Sequence, residues 1–428
     1  MKSYKELSRD ELLELQGALN KEYADAKSKG LSLNMARGKP SSEQLGFSMG
    51  IMDVLNSSSE LVSEDGTDCR NYGVLDGIPE AKRLMAGMVG TKSENMIVCG
   101  NASLPIMYDT VARSYAFGVC GGKPWCKQEH VKFLCPVPGY DRHFAITEQF
   151  GIEMINIPMH EDGPDMDLVE KYVESDSSVK GIWCVPKYSN PEGVCYSDEV
   201  VRRFAALKPA AEDFRIYWDN AYAMHHLYPD QPVEILDIIE ECEKAGHPDM
   251  VFEFCSTSKV TFSGSGVAAV ATSEKNREWF KKTMTIQTIG YDKINQLRHV
   301  KYFGDIEGMK AHMVKMADSL RPKFEAVHEV LEAELGGLEI GQWTDPKGGY
   351  FISFYTLPGC AKKVAAMCKD AGVTLTGAGA TYPYKKDPED SNIRIAPSFP
   401  TVDEMKLAAK LFALCVKLVS VEKLLEEK

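Results

Sequence analysis

Three residues stand where side chains can do covalent or ionic chemistry, each beside a short apolar run. Lys259 closes Ser256-Thr257-Ser258-Lys259, directly after Val251–Cys255, and is followed by Phe262-Ser263-Gly264-Ser265-Gly266. An ammonium there would be poorly solvated and its pKa should fall. A neutral amine is what condensation with an aldehyde needs; the alternative is a lysine whose stem lines apolar surface while its head reaches water. Asp219 ends the run Phe214–Trp218 and opens Asp219-Asn220-Ala221-Tyr222. A carboxylate in that place is costly unless a cation faces it, although it could simply cap a following helix. Arg394 lies inside Asn392-Ile393-Arg394-Ile395-Ala396-Pro397. Its planar, permanently charged fork suits a bidentate carboxylate partner, either a ligand or an internal acid.

Three further motifs share this setting. Gly100-Asn101-Ala102-Ser103-Leu104-Pro105 follows Met96–Cys99. A small-residue turn into a helix exposes backbone N–H groups at a positive helix end, which is a phosphate cradle, or else an ordinary turn capped by Ser103. Pro136-Val137-Pro138-Gly139-Tyr140 follows Val131–Cys135 and offers an aromatic that stacks on a planar ligand or fills core. Lys187-Tyr188-Ser189-Asn190-Pro191-Glu192-Gly193 follows Gly181–Val185 and puts the amide of Asn190 on a turn. Phosphate cradle, lysine and carboxylate together describe a site for pyridoxal 5′-phosphate, a phosphorylated pyridine aldehyde.

The elements that must position these groups alternate. Met96–Cys99, Val131–Cys135, Glu153–Ile157, Gly181–Val185, Phe214–Trp218, Val251–Cys255 and Gly266–Ala271 read as buried strands separated by helix-length amphipathic segments. That pattern predicts an α/β fold with a mainly parallel sheet covered by helices on both faces. Ligands of such sheets bind at the C-terminal strand ends, where the motifs above fall. Before the sheet, Ser8-Arg9-Asp10-Glu11 reads as a capping box opening an amphipathic helix. After it come a long helix at about Phe303–Leu335, a strand at Gly349–Tyr355, a helix near Ala361–Ala371, a strand at Asn392–Ile395 and a last helix from Val402. These predict a smaller α+β domain. The expected division is an N-terminal segment 1–50 packing with the small domain, a large cofactor-binding domain 51–310 and a small C-terminal domain 311–428.

Composition narrows the partners. The chain has 428 residues, with 49 Lys plus Arg against 62 Asp plus Glu and a net charge of −13. So acidic a surface argues against nucleic acid or anionic membrane. No apolar run is long enough to span a bilayer, and Met1–Asn20 lacks a signal core, which predicts a cytoplasmic protein. None of the 12 cysteines forms a C-x-x-C pair, so no metal site is expected and buried reduced thiols are. A dehydrogenase is disfavoured, because no G-x-G-x-x-G follows the first sheet strand.

The sequence resembles the fold-type I pyridoxal-phosphate enzymes, specifically the class I/II aminotransferases, from about Asn34 to the end. The order and spacing of Asn71-Tyr72-Gly73, Gly100–Ser103, Pro138-Gly139-Tyr140, Asn190–Gly193, Asp219–Tyr222, Ser256–Lys259, Pro346-Lys347-Gly348-Gly349-Tyr350-Phe351 and Asn392–Pro397 carry the likeness. Pro138-Gly139-Tyr140-Asp141-Arg142-His143 and Ile393–Ser398 are similar to a divergent bacterial aspartate aminotransferase subgroup. The resemblance implies that Lys259 bonds the cofactor aldehyde, Asp219 pairs with the pyridine nitrogen, Asn190 and Tyr222 reach the ring oxygen, and Tyr140 stacks on the ring. Ala102, Ser103 and Ser256 would hold the phosphate. Tyr72 would reach the phosphate of a neighbouring subunit, giving a homodimer with shared active sites. Arg394, with Gly38 closing over it, would bind the substrate α-carboxylate. Where many members carry an arginine after the lysine, this chain has Val267, so Ser263 or Ser265 and backbone N–H groups are expected to replace that cation.

The implied reaction moves an amino group from an L-amino acid, aspartate first, to a 2-oxo acid, 2-oxoglutarate first, with ping-pong kinetics. Alternatives are an alanine or aromatic aminotransferase, a lyase on the same fold, or a non-catalytic pyridoxal-phosphate sensor. A side-chain carboxylate needs a second cation, for which Arg37, Lys39, Arg142, Lys293 and Arg298 are candidates.

Overall fold

The computed structural model describes residues 2–428. The apolar runs in the middle of the chain form one eight-stranded sheet. In space it runs Met96–Val98, Ala268–Ala271, Val251–Ser256, Arg215–Asp219, Val179–Cys184, Lys132–Val137, Glu153–His160, Gly163–Pro164. The five strands from Val251–Ser256 through Glu153–His160 are parallel neighbours. Ala268–Ala271 runs against both of its neighbours, and Gly163–Pro164 runs against its single one. The sheet is therefore mainly parallel, and the expected strand at Gly266–Ala271 is its reversed member.

Every residue of Val179–Cys184, Arg215–Asp219, Val251–Ser256 and Ala268–Ala271 is buried. Strands without a solvent face need cover on both sides. Ile182, Ile216 and Trp218 pack with Leu84, Met309 and Met313 on one side. Trp183, Tyr217 and Phe252 pack with Met107, Val111 and Phe280 on the other. Alternation along Arg215–Asp219 gives Asp219 the same face as Tyr217. This side-chain parity places a carboxylate among aromatic rings at the C-terminal edge of the sheet.

A second hydrophobic cluster joins the two ends of the chain. Leu12 and Leu19 of the helix Arg9–Ser28 pack with Phe354, Phe412 and Cys415. The expected capping box is present: Glu11 donates its backbone N–H to Ser8 Oγ at 3.3 Å, and the Ser8 N–H returns to the Glu11 carboxylate at 2.6 Å. Gly341–Trp343, Ile352–Thr356 and Asn392–Ile395 form an antiparallel sheet beside the helix Val402–Glu427. Leu33–Asn34 pairs in parallel with Val373–Thr374, which draws the segment after Asn34 toward the large sheet.

Two elements differ from expectation. The long helix expected at about Phe303–Leu335 spans Ile306–Leu335, and a separate helix, Lys293–Phe303, precedes it: Gly304 between them takes a left-handed φ of 74°, and Asp305 caps the long helix by accepting from Gly308 N–H. The strand placed at Gly349–Tyr355 spans Ile352–Thr356. Its first residues are claimed elsewhere, since Gly349 N–H donates to the carbonyl of His225 at 2.9 Å.

Candidate active site

The strand ends converge on a cavity of about 550 Å3 lined by Tyr140, Asn190, Asp219, Tyr222, Lys259 and Arg394. These six come from five separate stretches of sequence. Gly38 also lines it, delivered by the pairing at Leu33–Asn34. A Cβ on Gly38 would lie 2.4 Å from Phe351 Cζ, so only glycine lets the segment approach this closely.

Asp219 is 2% exposed. Its Oδ2 is 2.9 Å from His143 Nε2, and its Oδ1 is buried without a partner. His143 is held flat against Trp183, with centroids 4.4 Å apart and planes at 9°. One carboxylate oxygen is thus fixed by a braced imidazole while the other awaits a donor. Lys259 opens onto the cavity yet is enclosed by protein, with Nζ 4.7 Å from the centre of the Tyr222 ring. Desolvation pushes its pKa below the usual lysine range, and the charge of Asp219 opposes that shift. Tyr222 is buried, and its hydroxyl is pushed well above the ordinary tyrosine range by burial.

Arg394 is 7% exposed and already engaged. Its Nη1 donates to Asp141 Oδ1 at 2.9 Å and Asn190 Oδ1 at 3.1 Å, and its Nη2 reaches Thr376 Oγ1 at 3.4 Å. Both readings of this arginine therefore meet: it lines the cavity and it has an internal acid.

The phosphate-cradle residues lie at the edge of this arrangement. Ala102 is the N-cap of the helix Ser103–Phe117 and contributes no side-chain hydrogen bond, so Ser103 does not cap it. The helix start faces the turn after Lys259: Asn101 Nδ2 donates to Gly264 O at 3.2 Å. A Cβ on Gly266 would lie 2.8 Å from Asn101 O and 3.0 Å from Ser258 N. Ser256 and Ser258 hydroxyls are 2.8 Å apart. Ser265 accepts from Arg298 Nη2 at 2.9 Å, whereas Ser263 is exposed. Tyr72 is 79% exposed and does not line the cavity of its own chain.

These residues fit pyridoxal phosphate. The orphaned Asp219 Oδ1 suits a protonated ring nitrogen, the desolvated Lys259 suits an aldehyde, and the uncapped helix start beside paired serine hydroxyls suits a phosphate. Sequence reading assigned no role to His143, Asp141 or Thr376. His143 and Asp141 stand in a motif already singled out, one helical turn from Tyr140 or less, but nothing in a linear pattern tells which of them turns toward Asp219.

Comparison with known proteins agrees with this geometry. The family model described as aspartate amino-transferase matches residues 7–428. An aspartate aminotransferase of Corynebacterium glutamicum is 48% identical over 405 residues, 94% of this chain and 93% of the relative. The crystal structure of an aspartate transaminase from Corynebacterium glutamicum aligns with a TM-score of 0.96 at 46% identity, covering 99% of each chain. The α-aminoadipate aminotransferase of Thermus thermophilus, complexed with N-(5′-phosphopyridoxyl)-L-leucine, shares the fold at 16% identity, with a TM-score of 0.73 over 95% of this chain and 96% of that one. With a family match across nearly its whole length and a relative at that identity, this chain belongs to the aspartate aminotransferase family.

Proposed function

We propose that the protein is a pyridoxal-phosphate-dependent aspartate aminotransferase that passes the amino group of L-aspartate to 2-oxoglutarate in a ping-pong cycle. The observation that carries the substrate is the cation count at one cavity. Arg37 and Arg142 line the same cavity as Arg394 and Lys259, both exposed and without an ion pair among the described residues. The other candidates are occupied: Lys39 lies over the Phe399 ring at 4.2 Å, Lys293 donates to Gly73 O at 2.9 Å, and Arg298 donates to Ser265. A dicarboxylate needs two cations, and Arg394 with Arg37 or Arg142 supplies them.

When bound, pyridoxal phosphate supplies an aldehyde to carry the amino group and a ring that accepts the electron pair released at the substrate Cα. Asp219 Oδ1, buried without a partner, would accept a hydrogen bond from a protonated ring nitrogen and so favour its positive charge. His143 keeps Asp219 oriented. Lys259 Nζ, desolvated and so more readily neutral, takes the Cα proton as general base. Arg394 fixes the α-carboxylate and thereby the direction of the Cα–H bond. Asn190, bonded to Arg394, and Tyr222, beside Lys259, would hydrogen-bond the ring oxygen. Ala102, Ser103, Ser256 and Ser265 anchor the phosphate, and Ser263 stands ready at the same turn.

The reading extends to a homodimer in the cytoplasm, with Tyr72 completing the partner's site. The exposure of Tyr72 away from its own cavity supports the dimer. It also includes the division into an N-terminal segment 1–50 packing with the small domain, a large domain 51–310 and a small domain 311–428; the clustering of Leu12 and Leu19 with Phe354 and Phe412 supports the first part, while Met313 and Met316 pack with the large domain's core. Steady-state kinetics of Arg37→Met and Arg142→Met test the substrate. One variant should raise KM for aspartate about tenfold or more, the worth of a lost charge-assisted bond, and leave KM for alanine unchanged. A wild type that prefers alanine or aromatic donors, or two variants with unchanged selectivity, would overturn the assignment.

A further inference from the structure

A second cavity, of about 340 Å3, lies beneath the active site and shares none of its lining residues. Lys187, Asn220, Met224, His226, Glu234 and Asp237 line it. Its walls run directly into the catalytic strand ends: Lys187 precedes Asn190 by three residues, and Asn220 follows Asp219.

Lys187 is the anomaly. It is 5% exposed, and its ammonium makes no hydrogen bond or ion pair among the described residues. Its Nζ keeps accessible surface at the cavity rather than being sealed in protein, and burial of the residue holds this group below the usual lysine range, with the charge of Glu234 and the nearby Cys195 opposing. The other buried lysines are satisfied in ordinary ways. Lys180 pairs with Asp213 at 2.7 Å, Lys293 donates to Gly73 O, and Lys323 donates to Ser398 O at 3.0 Å. Lys187 therefore has a donor set for which the fold provides space and no acceptor.

The rest of the wall limits what fills that space. His226 Nδ1 and the Tyr188 hydroxyl share a hydrogen bond at 2.6 Å, and burial lowers the His226 pKa to about 4, so it adds no cation at neutral pH. Lys310 is paired with Glu307 at 2.8 Å. Glu234 brings negative charge to the same cavity, whereas the Asp237 carboxylate caps the helix Ile238–Lys244 by accepting from Ile239 N–H at 2.9 Å, and burial pushes its pKa up. A multiply charged phosphate would be repelled by Glu234. An α-amino acid presents one carboxylate for a lone ammonium and one ammonium for a facing acid, with no net charge. We propose that this cavity binds a free α-amino acid as a zwitterion, its carboxylate on Lys187 and its ammonium toward Glu234.

The test separates this site from the catalytic one. Holoenzyme carrying Arg394→Ala has a crippled substrate site but an intact second cavity. Its melting midpoint is followed against L-aspartate, L-glutamate, L-alanine, L-leucine, acetate and inorganic phosphate. At least one amino acid should raise the midpoint, and acetate and phosphate should not. Adding Lys187→Met should weaken that amino acid about tenfold or more, and Glu234→Gln should weaken it without creating a response to phosphate. Lys187→Met alone should retain the wild-type circular dichroism, which shows that the loss is not unfolding. No response to any amino acid, an undiminished response in the Lys187→Met protein, or an equal response to acetate or phosphate would overturn the proposal. The readout does not depend on which amino donor the catalytic site prefers.

Discussion

Asp141 occupies the guanidinium that a substrate carboxylate must use, so removing its charge should tighten substrate binding. The pair is 2.9 Å from Arg394 Nη1 to Asp141 Oδ1, with Arg394 side chain 7% and Asp141 side chain 34% exposed. Exposed pairs contribute under about 1 kcal/mol, and breaking a fully buried pair costs about 3–5 kcal/mol. With one partner enclosed and the other a third wet, screening brings the competition to about 1–2 kcal/mol. An incoming carboxylate has to displace that interaction. In Asp141→Asn a neutral acceptor remains, so Arg394 keeps its position while the competing charge is gone. KM for both the amino acid and the 2-oxo acid should fall together, by about 5–30-fold, and kcat should hold, because uniform binding is gained. Steady-state kinetics of both half-reactions measure this. A raised KM would refute the reasoning, since it would mean that Asp141 holds Arg394 in place and does not compete for it.

Two further perturbations probe the support around Asp219 and Lys259. His143→Phe keeps the stack on Trp183 but leaves Asp219 Oδ2 without its donor, which should cost about 1–3 kcal/mol of stability and lower kcat with little change in KM; an unchanged kcat would detach His143 from the chemistry. Glu253, 3% exposed with Oε2 unpartnered, has its carboxyl pushed up to about 8 by burial and then by the charge of Asp237, against the hydrogen bond from Asn220. The folded state thus holds a proton that the unfolded chain releases above about 4.5, so this stability is complete below that pH and lost as pH rises through about 8. Glu253→Gln should therefore gain melting temperature relative to wild type as pH rises from about 4.5 to about 8 and level off above that, and a pH-independent difference would contradict the buried acid.

What the sequence made legible followed from periodicity. Continuous apolar runs marked seven strands of the large sheet, and the residues just past their ends supplied Tyr140, Asn190, Asp219 and Lys259, because a parallel sheet collects its strand ends at one edge. Ser8 and Glu11 fixed a helix start through local hydrogen bonds alone. What stayed hidden depends on side chains meeting across the fold. His143 reaches Asp219 over 76 residues of sequence, and Asp141 reaches Arg394 over 253. The helix Lys293–Phe303 is not legible in the sequence because its buried face includes Lys293, Gln296 and His299 and so shows no apolar stripe; Gly304 and the Asp305 cap set it off from the long helix. The strand Gly341–Trp343 escaped notice because Gln342 is exposed, its two neighbours are half-buried, and the three carry no apolar run.

The central claim is that Lys259, and no other lysine, bonds the cofactor aldehyde. Protein loaded with pyridoxal phosphate, reduced with borohydride and digested, should carry one phosphopyridoxyl group on the Lys259 peptide by mass spectrometry. Prior addition of L-aspartate should remove that label, and Lys259→Ala should abolish it together with turnover. Lys187 is the internal control, since burial lowers its pKa as well. Label on Lys187 or on a surface lysine, with Lys259 unmodified, would contradict the account.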